Sequence, residues 1–239
     1  MPEFMQQIVE LFLDMRNGFI PGIWETLHSS ILCTLFAYVI GLPLGIFLVV
    51  GEADGIRPMP RILMSIVNVI VNLLRSVPFL ILMIMVLPLS QIVLGTTIGT
   101  PAAIIPLVIA AFPFVARMVE SSIREVDKGV IEAAQAMGAS TFQIIRKVII
   151  PESLPSLISG ATISLTTILG YGAMAGIIGG GGLGKIALNY GYYRFNMPVM
   201  IVAVILLIIM VQIFQSIGTY LAVKTDKRIT QRTKRRKTK

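Results

Sequence analysis

From Thr26 to Val223 the chain is a near-continuous series of apolar runs, and its one long charged interruption lies at 120–153. A helix needs roughly 20 apolar residues to cross a bilayer. In lipid, every backbone N–H and C=O must be satisfied within the crossing element, so runs of this length dictate membrane-spanning helices. The balance of residue types agrees: 55% are hydrophobic and 13% charged, with mean hydropathy +0.85, against about 25% charged in soluble domains. Five or six crossings use most of the 239 residues and leave no room for a second folded domain of ordinary size.

The punctuation sets the expected spans. Residues 3–16 read as a short amphipathic helix at the interface. A first span is expected at about Thr26–Val50, followed by the turn-rich loop GEADGIRPMPR. The stretch Ile62–Leu94 is too long for one ordinary span and is interrupted by Arg75-Ser76-Val77-Pro78. It reads either as a lead-in helix over 62–74 with a second span over 76–94, or as one tilted, kinked span beginning near Ile62. A third span is expected at Pro101–Val119, a fourth at Leu154–Ile178 and a fifth at Met197–Val223. The expected fold is all-α: a polytopic transmembrane helical bundle of about five spans, occupying 1–223, with a basic tail at 224–239.

Lys and Arg in short loops orient such a chain. Arg57, Arg61, Arg117, Arg124, Lys128, Arg146, Lys147 and the nine basic residues from Lys224 onward fall on one side, and Arg16, Lys185 and Arg194 on the other. The expectation is a cytoplasmic C-terminus and 120–153 loop, with the N-terminus outside. The tail beside a span reads as a binder of anionic membrane lipids and a topology anchor rather than of nucleic acid. The N-terminus carries acids and no basic n-region, unlike a cleaved signal peptide. Cys33 and His28 each stand alone, which leaves no intrachain disulfide and no metal-ligand set. No cofactor motif and no catalytic set is visible. No acidic pair lies within an expected span, so a proton relay lacks its usual groups.

Within the 120–153 loop, Glu132, Ala133, Ala134 and Ala136 favour a helix. Gly138 breaks it, and Ser140 and Thr141 can cap a second helix over 143–150, stopped by Pro151. The loop is therefore expected to be two short helices with an elbow at Gly138. On these signals alone it is equally a solvated connector. The spacing adds more. Glu132-Ala133-Ala134, then Gly138, Ala139, Val148 and Ile150-Pro151, resembles the EAA loop of permease subunits in bacterial ABC importers. Val148 and Ile150 stand where that family commonly has isoleucine and leucine. The segments RSVPF (75–79) and GGGGLGKIALNYGYYRF (179–195) are similar to those of the methionine-type permeases within it. The resemblance covers nearly the whole chain. It implies a non-enzymatic transport subunit in the bacterial cell membrane, working as a homodimer. It also implies two copies of a cytoplasmic ATP-binding subunit, engaged through Glu132, Ala133, Ala134, Gly138, Ala139 and Pro151, and an extracytoplasmic substrate-binding protein that delivers methionine.

Other motifs have two readings each. Gly179–Lys185 contains GxGxxG and GxxxxGK, but Ile186 stands where a phosphate-binding loop needs Ser or Thr, and the segment follows a span rather than a strand. A nucleotide role is rejected. Gly172, Gly176, Gly180 and Gly184 recur every four residues, extended by Gly160 and Ser164, and read as a small-residue packing ridge. Its partner is a second subunit or gate on one reading and the same subunit on the other. Gly41 and Gly45 form a lesser version beside Pro43. Asn68, Asn72 and Arg75 share one helix face, so Arg75 lines a pathway or snorkels to headgroups. Thr162, Ser164, Thr166 and Tyr171, with Thr167, make the fourth span the most polar. They line a translocation route or bond back to their own helix. The alternative function is an ion-coupled secondary transporter of a small polar solute, which would call for membrane-embedded acids and inverted repeats.

Overall fold

The computed structural model describes residues 18–226; the expected amphipathic helix at 3–16 and most of the basic tail lie outside them. Among the described residues the secondary structure is helical throughout. The helices are α1 (Phe19–Val50), α2 (Arg61–Ser76), α3 (Phe79–Leu94), α4 (Thr100–Arg124), α5 (Lys128–Ala136), α6 (Thr141–Ile178), α7 (Gly182–Ile186) and α8 (Met197–Thr225). Four of these, α1, α4, α6 and α8, are each long and apolar enough to cross a membrane. The pair α2–α3 is bent by 107° at Val77-Pro78 and counts as a fifth span when taken together. So sharp a bend matches the lead-in helix rather than one kinked span. Pro78 holds Val77 extended (ψ 129°) and prevents a continuous helix.

Most helix ends depart from the expected bounds outward; the exception is α3, which begins at Phe79, after Pro78, rather than at 76. The helix α1 begins at Phe19 rather than near Thr26, because Pro21 in the first turn lacks an N–H that would be unpaired there anyway. At its far end α4 runs on to Arg124 and takes in Glu120. The loop expected over 120–153 contracts to the segment between Arg124 and Thr141, with α5 inside it.

Pro151 does not stop a helix. From Thr141 the chain runs as helix through it to Ile178. Its ring removes one ladder donor, and the ladder accommodates this by widening over Ile145–Ile149, where the Ile150 N–H donates to the Ile145 carbonyl five residues back. Such single wide turns are a common way for a helix to absorb an interruption.

The core lies between α1, α4 and α6. It includes Cys33, Ala37, Met83, Leu107, Ala111, Val115, Val119 and Ile168. Small residues let α1 and α4 nearly touch: a Cβ on Gly41 would fall 2.7 Å from Val115 Cγ1, and one on Gly45 only 2.6 Å from the Ala116 carbonyl oxygen. A second cluster, Phe19, Leu169, Leu183, Val199, Ala203 and Met210, ties α8 and α7 to α1 and α6. Many large apolar side chains on α1, α2, α3 and α8 point outward, among them Leu35, Val39, Ile62, Ile84, Ile92, Ile208 and Ile213. An outward apolar surface of this extent suits lipid rather than water.

Candidate functional site

The segment 125–149 forms a two-helix tip at one end of the bundle. Asp127 caps α5 by accepting from the Gly129 N–H at 2.7 Å. Gly138 closes that helix in the left-handed region at φ 76°, with the Gly138 N–H donating to Gln135 O and the Ala139 N–H to Ala134 O. Glycine is the residue that adopts this conformation at least cost. Ser140 and Gln143 then form a reciprocal cap: the Gln143 N–H donates to Ser140 Oγ, and the Ser140 N–H to Gln143 Oε1 at 2.8 Å. The two helix ends meet at a turn of fixed geometry.

The tip has an inner and an outer face. On the inner face Ala134 is 4% exposed and packs with the buried Ile144 and Ile149 and the half-buried Ile131 and Ala139. On the outer side Glu132, Ala133, Gly138 and Pro151 are exposed, and nothing lies within 4 Å of a Cβ placed on Gly138. Two apolar side chains stand out beside them, Met137 at 81% exposed and Phe142 at 67%. Sequence reasoning passed over both; the signal available was an apolar residue on each side of a polar helix–turn–helix. An exposed Met and Phe at a rigid tip suit insertion into a partner's cleft.

Charges fasten the base of the tip. Arg124 forks onto Glu52 in the loop after α1 and also bonds Glu120. Lys128 lies 3.5 Å from Asp54. The polar strip continues inward, with Arg117 donating to Glu120 and to the side-chain carbonyls of Asn68 and Asn72 at 2.8 and 2.9 Å. The arginine held by these asparagines is thus Arg117 rather than Arg75. Arg75 is exposed at the last turn of α2 and makes no hydrogen bond or ion pair among the described residues. Because the Glu52 and Arg124 side chains are 35% and 45% exposed and so screened by solvent, their bridge is expected to contribute no more than about 1 kcal/mol. A double-mutant cycle with Glu52→Ala and Arg124→Ala, read by thermal melting, checks that size; coupling several times larger would show the bridge to be structural.

The residues expected along a route turn out to have local partners. Thr162 donates to Ile158 O, Thr166 to Thr162 O and Ile163 O, and Thr167 to Ile163 O. Thr162 is buried against α8, where a Cβ on Gly218 would come 1.9 Å from its hydroxyl oxygen. Ser164 differs. Its hydroxyl is fully buried, makes no well-formed hydrogen bond and lies near the equally unsatisfied Tyr38 hydroxyl of α1. Tyr171 stacks on Phe79 with ring centres 3.9 Å apart and planes 12° from parallel. This joins the RSVPF segment to α6, and the ring carries the contact. Tyr171→Phe is therefore expected to keep uptake within about twofold, a change of about 0.5 kcal/mol or less. Tyr171→Ala loses the stack and should cost about 1 kcal/mol or more of stability. A large uptake defect in Tyr171→Phe, at normal abundance, would assign the hydroxyl to the route instead.

The glycine series does not form one ridge. Gly172 has open space around it. The helix ends at Ile178, Gly179 turns the chain at φ 89°, and Gly180 and Gly184 belong to the return segment. The close contacts are within the chain: a Cβ on Gly176 would meet the Lys185 nitrogen at 2.6 Å, and one on Gly184 the Ala173 carbonyl oxygen at 2.3 Å. Spacing of four implied a single helix, and the left-handed turn at Gly179 breaks that premise.

This return segment is held by a carboxylate that sequence reasoning placed outside the first span. Glu25 Oε2 accepts from the Gly182 N–H at 2.7 Å and from the Thr100 hydroxyl at 3.1 Å. Beside it, the Leu183 N–H donates to Thr26 Oγ1 at 2.9 Å. Among the described residues, the acids within helices long enough to span are Glu25 in α1, Glu120 in α4 and Glu152 in α6; Glu25 and Glu120 stand at opposite ends of the bundle, and none of the three pairs with another. Among the described residues no three or more His, Cys, Asp or Glu side chains converge as a metal site.

The family described as binding-protein-dependent transport system inner membrane component matches residues 20–227. The probable D-methionine transport system permease protein MetI of Vibrio cholerae is 46% identical over 224 residues, covering 92% of this chain and 98% of its own. The Haemophilus influenzae protein of that description is 47% identical over 206 residues, covering 86% and 96%. Among solved structures, a chain of the MetNI methionine ABC transporter in inward-facing conformations superposes with TM-score 0.85 at 44% identity, covering 87% of this chain and 96% of that one. An amino acid ABC transporter solved with histidines shares the fold, with TM-score 0.72 at 18% identity. A family match over almost the entire bundle, with relatives above 40% identity along nearly their full lengths, means that this chain belongs to the binding-protein-dependent transport system inner membrane components.

Proposed function

We propose that the chain is the permease subunit of an ATP-driven methionine importer in the bacterial inner membrane. Two copies form the translocation unit, two cytoplasmic ATP-binding subunits drive it, and an extracytoplasmic binding protein supplies the amino acid. The N-terminus is outside and the tail is cytoplasmic. The permease performs no hydrolysis; its part is mechanical.

The observation that carries this reading is the two-helix tip. Its inner face is anchored in the core by Ala134, Ile144 and Ile149, and its outer face presents Ala133, Met137, Gly138 and Phe142. A rigid tip continuous with α6 converts a push on the turn into a displacement of a spanning helix. Closure of the ATPase dimer on nucleotide brings the paired tips together and rocks the bundle from inward-open to outward-open. Hydrolysis and product release reverse it. The chain superposes on one from a transporter described as inward-facing; that likeness supports a reading in which the cytoplasmic end is the open one and the outer end the closed one.

The test is direct. The chain co-expressed with its ATP-binding subunit should purify as a complex, and proteoliposomes supplied with binding protein should accumulate radiolabelled methionine only when ATP is present. Accumulation driven by an ion gradient without ATP would assign the chain to secondary transport instead.

A further inference from the structure

We propose that Glu25 is a positioning residue for transport, the acceptor of a latch that holds the outer end of the bundle closed. The inference rests on the importer reading above. Glu25 sits in the second turn of α1, 25 residues from Val50, which is about 37 Å of helix. It therefore lies at the end of the bundle opposite the two-helix tip. There three elements converge that are far apart in sequence: the start of α1, the start of α4 and the glycine turn between α6 and α7.

The junction is built on hydrogen bonds. One carboxylate oxygen of Glu25 takes the Gly182 N–H at 2.7 Å and the Thr100 hydroxyl at 3.1 Å. Thr26 takes the next amide, Leu183, at 2.9 Å. The Gly99 N–H closes the ring by donating to the Gly179 carbonyl at 2.8 Å. The first amides of α7 are thus capped by side chains 157 positions earlier, where a helix normally uses its own neighbours. Gly181 permits the approach: a Cβ there would fall 2.0 Å from Thr100 Oγ1 and 2.2 Å from Glu25 Oε2. Among the described residues no Lys or Arg forms an ion pair with Glu25. The carboxylate is therefore satisfied by neutral donors that water can replace. When this end opens, Glu25, Gly182 and Thr100 all gain solvent, so the bonds can break and re-form through the cycle at modest net cost. An arginine partner in the same place would make opening far harder.

The latch biases a population. Deleting its acceptor should favour outward-opened forms, and in an ATP-driven importer those forms are the ones competent to hydrolyse. Glu25→Ala in the assembled complex with its ATP-binding subunits, without binding protein, is expected to raise basal ATP hydrolysis by about tenfold, the shift that loss of one charge-assisted hydrogen bond permits. Methionine imported per ATP should fall with binding protein present. Glu25→Gln keeps an acceptor for Gly182 and should stay near the parent. Gly181→Ala, which pushes a methyl into the carboxylate, should behave like Glu25→Ala.

Parental basal hydrolysis in an assembled Glu25→Ala complex would overturn the latch. So would a proportional fall of hydrolysis and uptake together, which marks a purely structural role. Should Glu25→Ala fail to assemble, Thr100→Val removes one donor while keeping the side-chain shape; it should raise basal hydrolysis, and unchanged hydrolysis overturns the proposal. A parent complex that hydrolyses ATP but carries no methionine would revise the substrate and leave the hydrolysis readout of Glu25 standing.

Discussion

Gly138→Asp is expected to abolish most methionine uptake while the assembled complex continues to hydrolyse ATP. The position is open on the chain's own side, since no atom lies within 4 Å of an added Cβ. Intramolecular crowding is therefore not the cause of the defect. Its backbone is left-handed at φ 76°, a conformation Asp adopts more readily than most residues. The variant consequently preserves the elbow and alters what the elbow touches. A carboxylate forced into a partner's cleft without a paired cation costs several kcal/mol, which corresponds to about a hundredfold or greater loss of productive engagement. Gly138→Ala is the control. It adds only a methyl but carries a left-handed penalty of about 1 kcal/mol, so its effect should be several-fold smaller. Uptake and hydrolysis measured in the same proteoliposomes separate the two. Parental uptake per ATP in Gly138→Asp would remove the tip from the force path.

The elbow was readable from the sequence because every signal that makes it is local. The alanine run, the glycine and the Ser140–Gln143 pair lie within a dozen residues and all favour one geometry. Membrane span and count were readable for a related reason, since hydropathy acts residue by residue. What failed depended partly on backbone choices that spacing does not fix and partly on distance. Pro151 was expected to end a helix, and a widened turn at Ile145–Ile149 carries the helix through it instead. The four-residue glycine spacing was read on a helix that a left-handed Gly179 brings to an end. Arg75 had the right neighbours in sequence, yet Asn68 and Asn72 reach Arg117, more than 40 positions away. Glu25 carried no signal at all, because the donors that give it a role lie 75 and 157 positions further along. The hydroxyls of α6 could be weighed in advance only as a choice between two readings, and the i−4 carbonyl bonds of Thr162, Thr166 and Thr167 are a matter of rotamer, which sequence does not fix.

The second large effect is on stability rather than on coupling, and it falls at the α1–α4 crossing. Gly45→Val is expected to abolish the folded bundle or lower its melting temperature sharply. An added Cβ would lie 2.6 Å from the Ala116 carbonyl oxygen and 2.7 Å from Val119 Cβ. Neither is the far end of a flexible side chain. One is backbone, and the other is fixed by its own Cα. Relief requires the two helices to separate along their closest contact, with loss of the packing of Ala37, Val115 and Val119, each of them fully buried. Overpacking of this kind costs about 1–3 kcal/mol, and more where backbone must move. In lipid, close packing between helices is itself the main source of association, so a gap there has no hydrophobic effect to offset it. The backbone origin of the clash makes the prediction discriminating. Trimming the facing side chain in Gly45→Ala/Val119→Ala should recover little stability, because the Ala116 oxygen remains in the way. Recovery of the parental melting temperature in that double variant, measured in detergent at matched protein concentration, would place the constraint in side-chain volume and show the helices free to adjust.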